Sequence, residues 1–220
     1  MNSLSLITFD VGGTLLSPHP TVGEAYAEEL SSLGLRCDAA RMQTRFGVAL
    51  RQWTQGNGYG GNARDDRETW RAIVRETVAL EAIPPERFDE AFDHLFNAFA
   101  TGARWRLHEG ARELLAHLDK TGYRLAILSN SDSRTRRVLE DHDLMDFFEA
   151  VFLSGEIGYE KPDRRLFDHV VDTIGVPPDQ ILHVGDSPRH DLEGARHAGW
   201  QGFLLSSHGH SLQDLFRALE

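Results

Sequence analysis

The chain is 220 residues long, 40% apolar and 26% charged, so it holds enough hydrophobic surface to build a core, which excludes disorder as a description of the whole. Its 34 acidic residues outnumber 23 basic ones, and the net charge of −11 argues against a nucleic-acid or anionic-membrane surface, since both need clustered positive charge; a local site for a small phosphate is untouched by that argument. Cys37 is the only cysteine, which excludes an intrachain disulfide and a cysteine-based zinc site, and the first apolar run stops at Asp10, too short for a signal segment or a membrane span, so a cytoplasmic location is expected.

Residues 4–9 form a short apolar run ending in Asp10-Val11-Gly12-Gly13-Thr14, the pattern of a buried strand followed by a turn. Over residues 17–103 the sequence predicts helices and no convincing strand. These cover 21–33, 39–52, 67–80 and a stretch with Phe88, Phe92, Leu95, Phe96 and Phe99 at helical spacing, which reads as packing between helices rather than a ligand wall. Gly56-Asn57-Gly58-Tyr59-Gly60-Gly61-Asn62 interrupts them; no Gly-Lys-Ser/Thr follows, so it reads as an interhelical loop and not a phosphate loop. Downstream, helices over 110–120, 133–141, 164–174 and 192–198 alternate with apolar runs at 125–128, 150–153, 181–184 and 202–205. That alternation implies βαβ units and a parallel sheet covered on both faces. The expected architecture is α/β: a Rossmann-like core from residues 1–16 and 104–220, with an all-helical cap inserted over 17–103.

The polar residues of interest follow the predicted strands: Asp10, then Ser129-Asn130, then Gly185-Asp186-Ser187-Pro188-Arg189-His190-Asp191, with a loop Glu160-Lys161-Pro162-Asp163 between the last two. In open α/β sheets, ligands bind at the carboxyl ends of strands. Each segment has a plainer reading. Asp186 and Asp191 could cap the next helix, Ser129-Asn130 could cap another, and Lys161-Pro162 could be a surface turn.

In order and spacing, the four segments together resemble the haloacid dehalogenase superfamily of hydrolases over the whole chain, the helical insertion being similar to its first-type cap. The insertion, with His19-Pro20 and Trp70, is similar to the subgroup named haloacid dehalogenase-like hydrolase domain-containing protein three. The resemblance implies a Mg²⁺-dependent phosphohydrolase of a small phosphorylated metabolite, with Asp10 as the nucleophile that forms an aspartyl-phosphate. It implies Mg²⁺ at Asp10, the Gly12 backbone carbonyl and Asp186, with Asp191 reaching the metal through water. Ser129, Asn130 and Lys161 would hold the phosphoryl group. The chemistry agrees: a carboxylate attacks an anionic ester only when positive charge compensates, and Mg²⁺ prefers hard carboxylate oxygens, while a fixed lysine keeps neighbouring carboxylates ionised.

One position departs from the pattern. Most phosphatases of this superfamily carry an aspartate two residues after the nucleophile, which protonates the leaving group and then activates water; here it is Gly12. Losing such a group costs roughly 10²–10⁴-fold in rate. His19, nine residues past Asp10, is the nearest candidate substitute by sequence, against the plain reading as a surface histidine. His183, inside an apolar strand, reads as a satisfied core histidine.

Rival readings each meet an obstacle. Metal-free dehalogenation of a carboxylate substrate is opposed by Asp186 and Asp191. Phosphonatases use a cap lysine, and Lys120 and Lys161 are the only lysines, both outside 17–103. A sugar kinase of the actin-like fold needs a longer chain. A catalytically weakened phospho-ligand or protein-binding module is the alternative from another class. Tyr26, Trp53, Tyr59 and Trp70 read equally as cavity wall or core, and nothing in the sequence fixes an oligomeric state.

Overall fold

In chain order the computed structural model, which describes residues 4–56, 66–206 and 209–219, begins with β1 (Leu6–Phe9) and β2 (Leu16–Pro18). Four helices follow, α1 (Val22–Ser32), α2 (Ala39–Gly56), α3 (Asp66–Thr77) and α4 (Phe88–Ala98), and then β3 (Trp105–Leu107). The remainder alternates: α5 (Ala111–Lys120), β4 (Arg124–Ser129), α6 (Arg134–Asp141), β5 (Ala150–Leu153), α7 (Ser154–Ile157), α8 (Arg164–Ile174) and β6 (Ile181–Gly185). A π-helical turn (Pro188–Glu193) runs into α9 (Gly194–His197), followed by β7 (Gln201–Leu204) and α10 (Leu212–Leu219). Among the described residues no helix is long and apolar enough to cross a membrane.

Five strands form one parallel sheet in the order β5-β4-β1-β6-β7. Side chains alternate faces along a strand, and the apolar residues divide accordingly. Ile7, Phe9, Ile127 and Val184 pack with Leu114, Leu115 and Leu118 of α5, Leu139 of α6 and Leu215 of α10. Leu6, Ala126, Leu128 and Ile181 pack on the other face with Leu166, Phe167 and Val170 of α8. Burial on both faces is why these strands read as continuous apolar runs. The chain crosses from one side of β1 to the other between β5 and β6, so the crevice at the carboxyl edge beside β1 is the topological switch point, where this architecture places ligands.

The helices α1–α4 build a separate core around Tyr26, Leu30, Met42, Val74, Phe92 and Leu95. Helix α1 starts on a capping box: Thr21 Oγ1 accepts from the Glu24 N–H while Glu24 Oε2 accepts from the Thr21 N–H at 3.0 Å. Three arginines of α3 lie over the α4 aromatics, with Arg75 4.5 Å above Phe88 and Arg67 4.8 Å above Phe96.

The two crossings between the helices and the sheet pair with each other. β2 and β3 form an antiparallel ribbon with Ser17 opposite Arg106, so a short strand pair stands where the sequence predicts no strand. The last predicted helix also begins earlier than expected, as the π-helical turn at Pro188. Helix α10 is unanticipated. Of the glycine-rich interruption, Gly56 ends α2 and residues 57–62 lie outside the described residues.

Candidate active site

Register brings the polar strand ends together. Phe9 is level with Ile127 on one side and Val184 on the other, so Asp10, Ser129 and Asp186 emerge at one sheet edge and line a single cavity of ≈ 650 Å³ with Gly12, Lys161 and Asp191. Two glycines make room there. A Cβ at Gly13, whose φ is +80°, would run into the Asp186 carboxylate, and one at Gly185 would run into Asp191.

Lys161 lies at the centre of the charged groups, 2% exposed. Its ammonium has three protons and donates to three acceptors: Asp10 Oδ1 at 3.0 Å, the Leu128 carbonyl at 2.9 Å and Asp191 Oδ1 at 2.6 Å. Burial disfavours its charge, yet Asp10 and Asp191 outweigh that and hold its pKa above the usual lysine value. Burial alone would raise the Asp191 carboxyl; the Lys161 charge and a hydrogen bond from His183 more than offset this and hold it below the carboxylate range. Both Asp191 oxygens are occupied, since Oδ2 accepts from the Ser187 N–H at 2.8 Å. Asp191 therefore anchors Lys161, which leaves the expected water-mediated contact to a metal untouched.

His183 completes this buried cluster. Burial, then the Lys161 charge, lower its pKa and keep it neutral. The network assigns its tautomer: Nε2–H donates to Asp191 Oδ1 at 3.0 Å and Nδ1 accepts from Thr8 Oγ1 at 2.8 Å. It is a satisfied core histidine, as the sequence suggests, but its partners belong to the site. The available signal was a pair: Thr8 and His183 interrupt two apolar strands at facing positions.

Asp186 is the exposed member. Partial desolvation, then the charges of Asp10 and Asp191, raise its pKa to about 6. Asp10, Asp186 and Asp191 each offer an oxygen, all within 4.8 Å of one another, and Lys161 supplies one positive charge against the three. That shortfall of two charges is what a divalent cation would make good, and Asp10, Asp186 and the exposed Gly12 backbone offer the hard oxygens it takes.

Asn130 is not available as expected. Its Oδ1 accepts from the Lys161 N–H at 2.7 Å and its Nδ2 donates to the Lys161 carbonyl at 2.9 Å, so the amide clamps the loop that carries the lysine. Neither strand-end segment caps a helix as the plainer reading had it: Ser187 supplies the side-chain cap of the π-helical turn, and at the start of α6 the Arg134 N–H donates to Asp132 Oδ1 at 3.0 Å. The structure also does not bring His19 to the cavity. It is exposed and its N–H pairs with the Arg104 carbonyl at 2.9 Å. Pro18 lines the cavity, whereas Ser17 Oγ pairs with His108 Nε2 at 2.7 Å and His19 lies past the end of β2, outside the lining. The imidazole that does line the cavity is His190, half-buried, with Nδ1 3.1 Å from Ser187 Oγ. Gly12 has open space where a side chain would stand.

The helices contribute the opposite wall. Tyr26, Trp70, Phe96 and Phe99 line it, so part of the aromatic stripe serves as both packing and wall, while Trp53 is held aside by Glu76 at 3.1 Å and Tyr59 lies outside the described residues. A group the sequence does not flag closes the cavity from the sheet side. Arg134 pairs with Asp132 through two nitrogens, donates to the Phe96 carbonyl at 3.1 Å, and stacks 3.7 Å over the Phe96 ring.

Comparison with known proteins agrees with this geometry. A hydrolase family described as haloacid dehalogenase-like hydrolase matches residues 4–199. Haloacid dehalogenase-like hydrolase domain-containing protein 3 of Bos taurus is 31% identical over 206 residues, covering 92% of this chain and 82% of that protein. A phosphoserine phosphatase of Thermus thermophilus is 31% identical over 218 residues, covering 89% and 86%. Among solved structures, a dehalogenase with an intermediate complex superposes with a TM-score of 0.80 at 19% identity, covering 100% of this chain and 98% of that one. The parallel sheet, the strand-end acids and these matches identify the chain as a member of the haloacid dehalogenase superfamily of hydrolases.

Proposed function

We propose that this hydrolase is a Mg²⁺-dependent phosphatase of phosphate monoesters that works through an aspartyl-phosphate on Asp10. The observation that carries this reading is the charge shortfall at Asp10, Asp186 and Asp191, which one buried lysine does not balance. A metal-free site for a halogenated carboxylate would have to accept an anionic substrate beside uncompensated negative charge. With Asp191 neutralised by Lys161, this argument rests on Asp186 rather than on the acidic pair.

Bound at Asp10, Asp186 and the Gly12 carbonyl, Mg²⁺ would neutralise charge on the phosphoryl oxygens and align them for in-line attack. The chain's own residues do the rest. Lys161 fixes the Asp10 side chain through Oδ1, leaving Oδ2 to attack phosphorus. The buried Ser129 hydroxyl, at the end of β4, donates to a phosphoryl oxygen. The bond between phosphorus and the leaving oxygen breaks as the acyl-phosphate bond forms. One water then serves both halves: its proton goes to the departing alkoxide, and its hydroxide adds to phosphorus, releasing inorganic phosphate and restoring the carboxylate. Gly12 contributes no acid to this sequence, so the reaction is slow with alcohols of high pKa. A phosphate-release screen over a metabolite panel tests the reading. Release requires Mg²⁺ and is lost in Asp10→Asn; release that survives that substitution, or none with any monoester, removes the assignment and leaves the binding-module alternative.

A further inference from the structure

We infer that the substrate's leaving group is a large, uncharged, mainly hydrocarbon alcohol rather than an amino acid or a sugar. The inference rests on the phosphatase reading for its chemistry but on the other half of the cavity for its evidence. At ≈ 650 Å³ the cavity is far larger than a phosphoryl group needs. Beyond Asp10 and Lys161 its wall is built by Tyr26, Phe46, Leu50, Trp70, Phe96 and Phe99. Tyr26 meets Phe46 and Phe99 edge-on, at ring distances of 6.2 and 5.6 Å, so this wall is preformed.

Several of the polar groups there are already engaged. Gln43 Oε1 accepts from the Gly23 N–H at 2.8 Å, Thr21 belongs to the α1 capping box, and Arg134 and Asp132 neutralise each other. Among the described residues, Arg51 is the one charged side chain that α1–α4 contribute to the lining, and it is exposed to solvent. A leaving group such as serine would bring an ammonium and a carboxylate into this wall, and burying them without partners is costly. A sugar would strand several hydroxyls in the same way. Of the remaining polar groups, the Ser131 hydroxyl nearer the strand ends has no hydrogen-bond partner among the described residues, and on the helical wall Tyr26 offers a contact. The Tyr26 phenol makes no hydrogen bond among the described residues, and burial pushes its pKa up, so it stays a neutral donor and suits an alcohol carrying a single acceptor.

Alkyl chain length tests this without changing leaving-group acidity. Each buried methylene is worth about fourfold in binding, so kcat/KM for hexyl phosphate should exceed that for ethyl phosphate by roughly 10²-fold, and phosphoserine should fall below hexyl phosphate. Calorimetric titration of hexylphosphonate and ethylphosphonate with Mg²⁺ present should show the same gradient in affinity, and Leu50→Asn should shrink it. Equal values for the two chain lengths, or a preference for phosphoserine, overturns the inference while leaving the phosphatase reading intact. Graded phosphonate binding without any turnover supports the apolar site and sinks the phosphatase reading instead.

Discussion

Position 12 is where the chain departs most from the chemistry its fold supports. Nothing lies within 4 Å of a Cβ built on Gly12, and its φ is not in the left-handed region, so an aspartate fits without strain. Gly12→Asp should therefore fold and supply the missing acid. Hexyl phosphate, with a poor leaving group, should gain up to ~10²–10⁴-fold in kcat/KM, while nitrophenyl phosphate should gain little in its first step. The parent should show a burst with nitrophenyl phosphate, because breakdown of the aspartyl-phosphate lacks a base, and the variant should lose it. Equal gains on both substrates, or none on either, would mean that Gly12 is not a missing acid and that another group, His190 being the imidazole in the cavity, already does that work. Asp186 carries a second expectation. Its pKa is raised from 3.8 to about 6, so the metal-free native state holds a proton that the unfolded chain has released between those values. Stability from this group is thus present below pH 4 and lost as pH rises through 6. The carboxylate is exposed, so solvent screening leaves an effect on the order of 1 kcal/mol, or roughly 2–4 °C in Tm. Asp186→Asn should raise the Tm of metal-free protein by that amount at pH 7.5 and not at pH 3.5, and should abolish stabilisation by Mg²⁺. A thermal-shift series across pH reads both; a uniform shift would show that Asp186 carries no excess charge.

Among the elements, the ones with strong periodicity were legible and the short ones were not. Helices α4, α5 and α8 and strands β1, β4 and β6 announce themselves because burial on one or two faces writes a pattern long enough to see. β2 and β3 have three residues each, too few for alternation to register, and they exist because they pair with each other. Helix α10 follows a sequence run of serine, histidine and glycine that hides its start; Leu212 and Leu215 bury against α5 all the same. Arg134 was equally invisible, since its role depends on Phe96 of α4 coming within reach of the first residue of α6. This arginine joins the two halves of the molecule, and the ribbon and the Gly102–Asp141 hydrogen bond at 2.9 Å flank the crossings. We propose that the helices α1–α4 open and close over the site about these crossings. Arg134→Ala removes a charge-assisted hydrogen bond and a stacked cation. It should raise KM about 10- to 100-fold and speed hydrogen exchange at the end of α4. Exchange in α1–α4 that matches the sheet, and that vanadate with Mg²⁺ leaves unchanged, would argue for a fixed cap.

For the whole molecule, the α/β alternation and the order of four strand-end segments carried both fold and family. The site was legible only in part, for a physical reason. Sequence shows which residues stand at strand ends, but not which oxygens are already taken. Asp191 and Asn130 look like ligand-binding groups and are held by Lys161, whereas His183 looks like core and holds the site's charge in place. His19 is close in sequence and lies outside the cavity lining. The central claim remains chemical: phosphoryl transfer to Asp10. Acid quench of a single turnover with nitrophenyl phosphate, followed by mass mapping of the peptides, reads it directly, and the missing base at position 12 should let the intermediate accumulate. The account predicts one phosphoryl group on the peptide containing Asp10, formed only with Mg²⁺ and absent in Asp10→Asn. Phosphate released at the parent rate by Asp10→Asn, or a phosphoryl group on a different peptide, would contradict it.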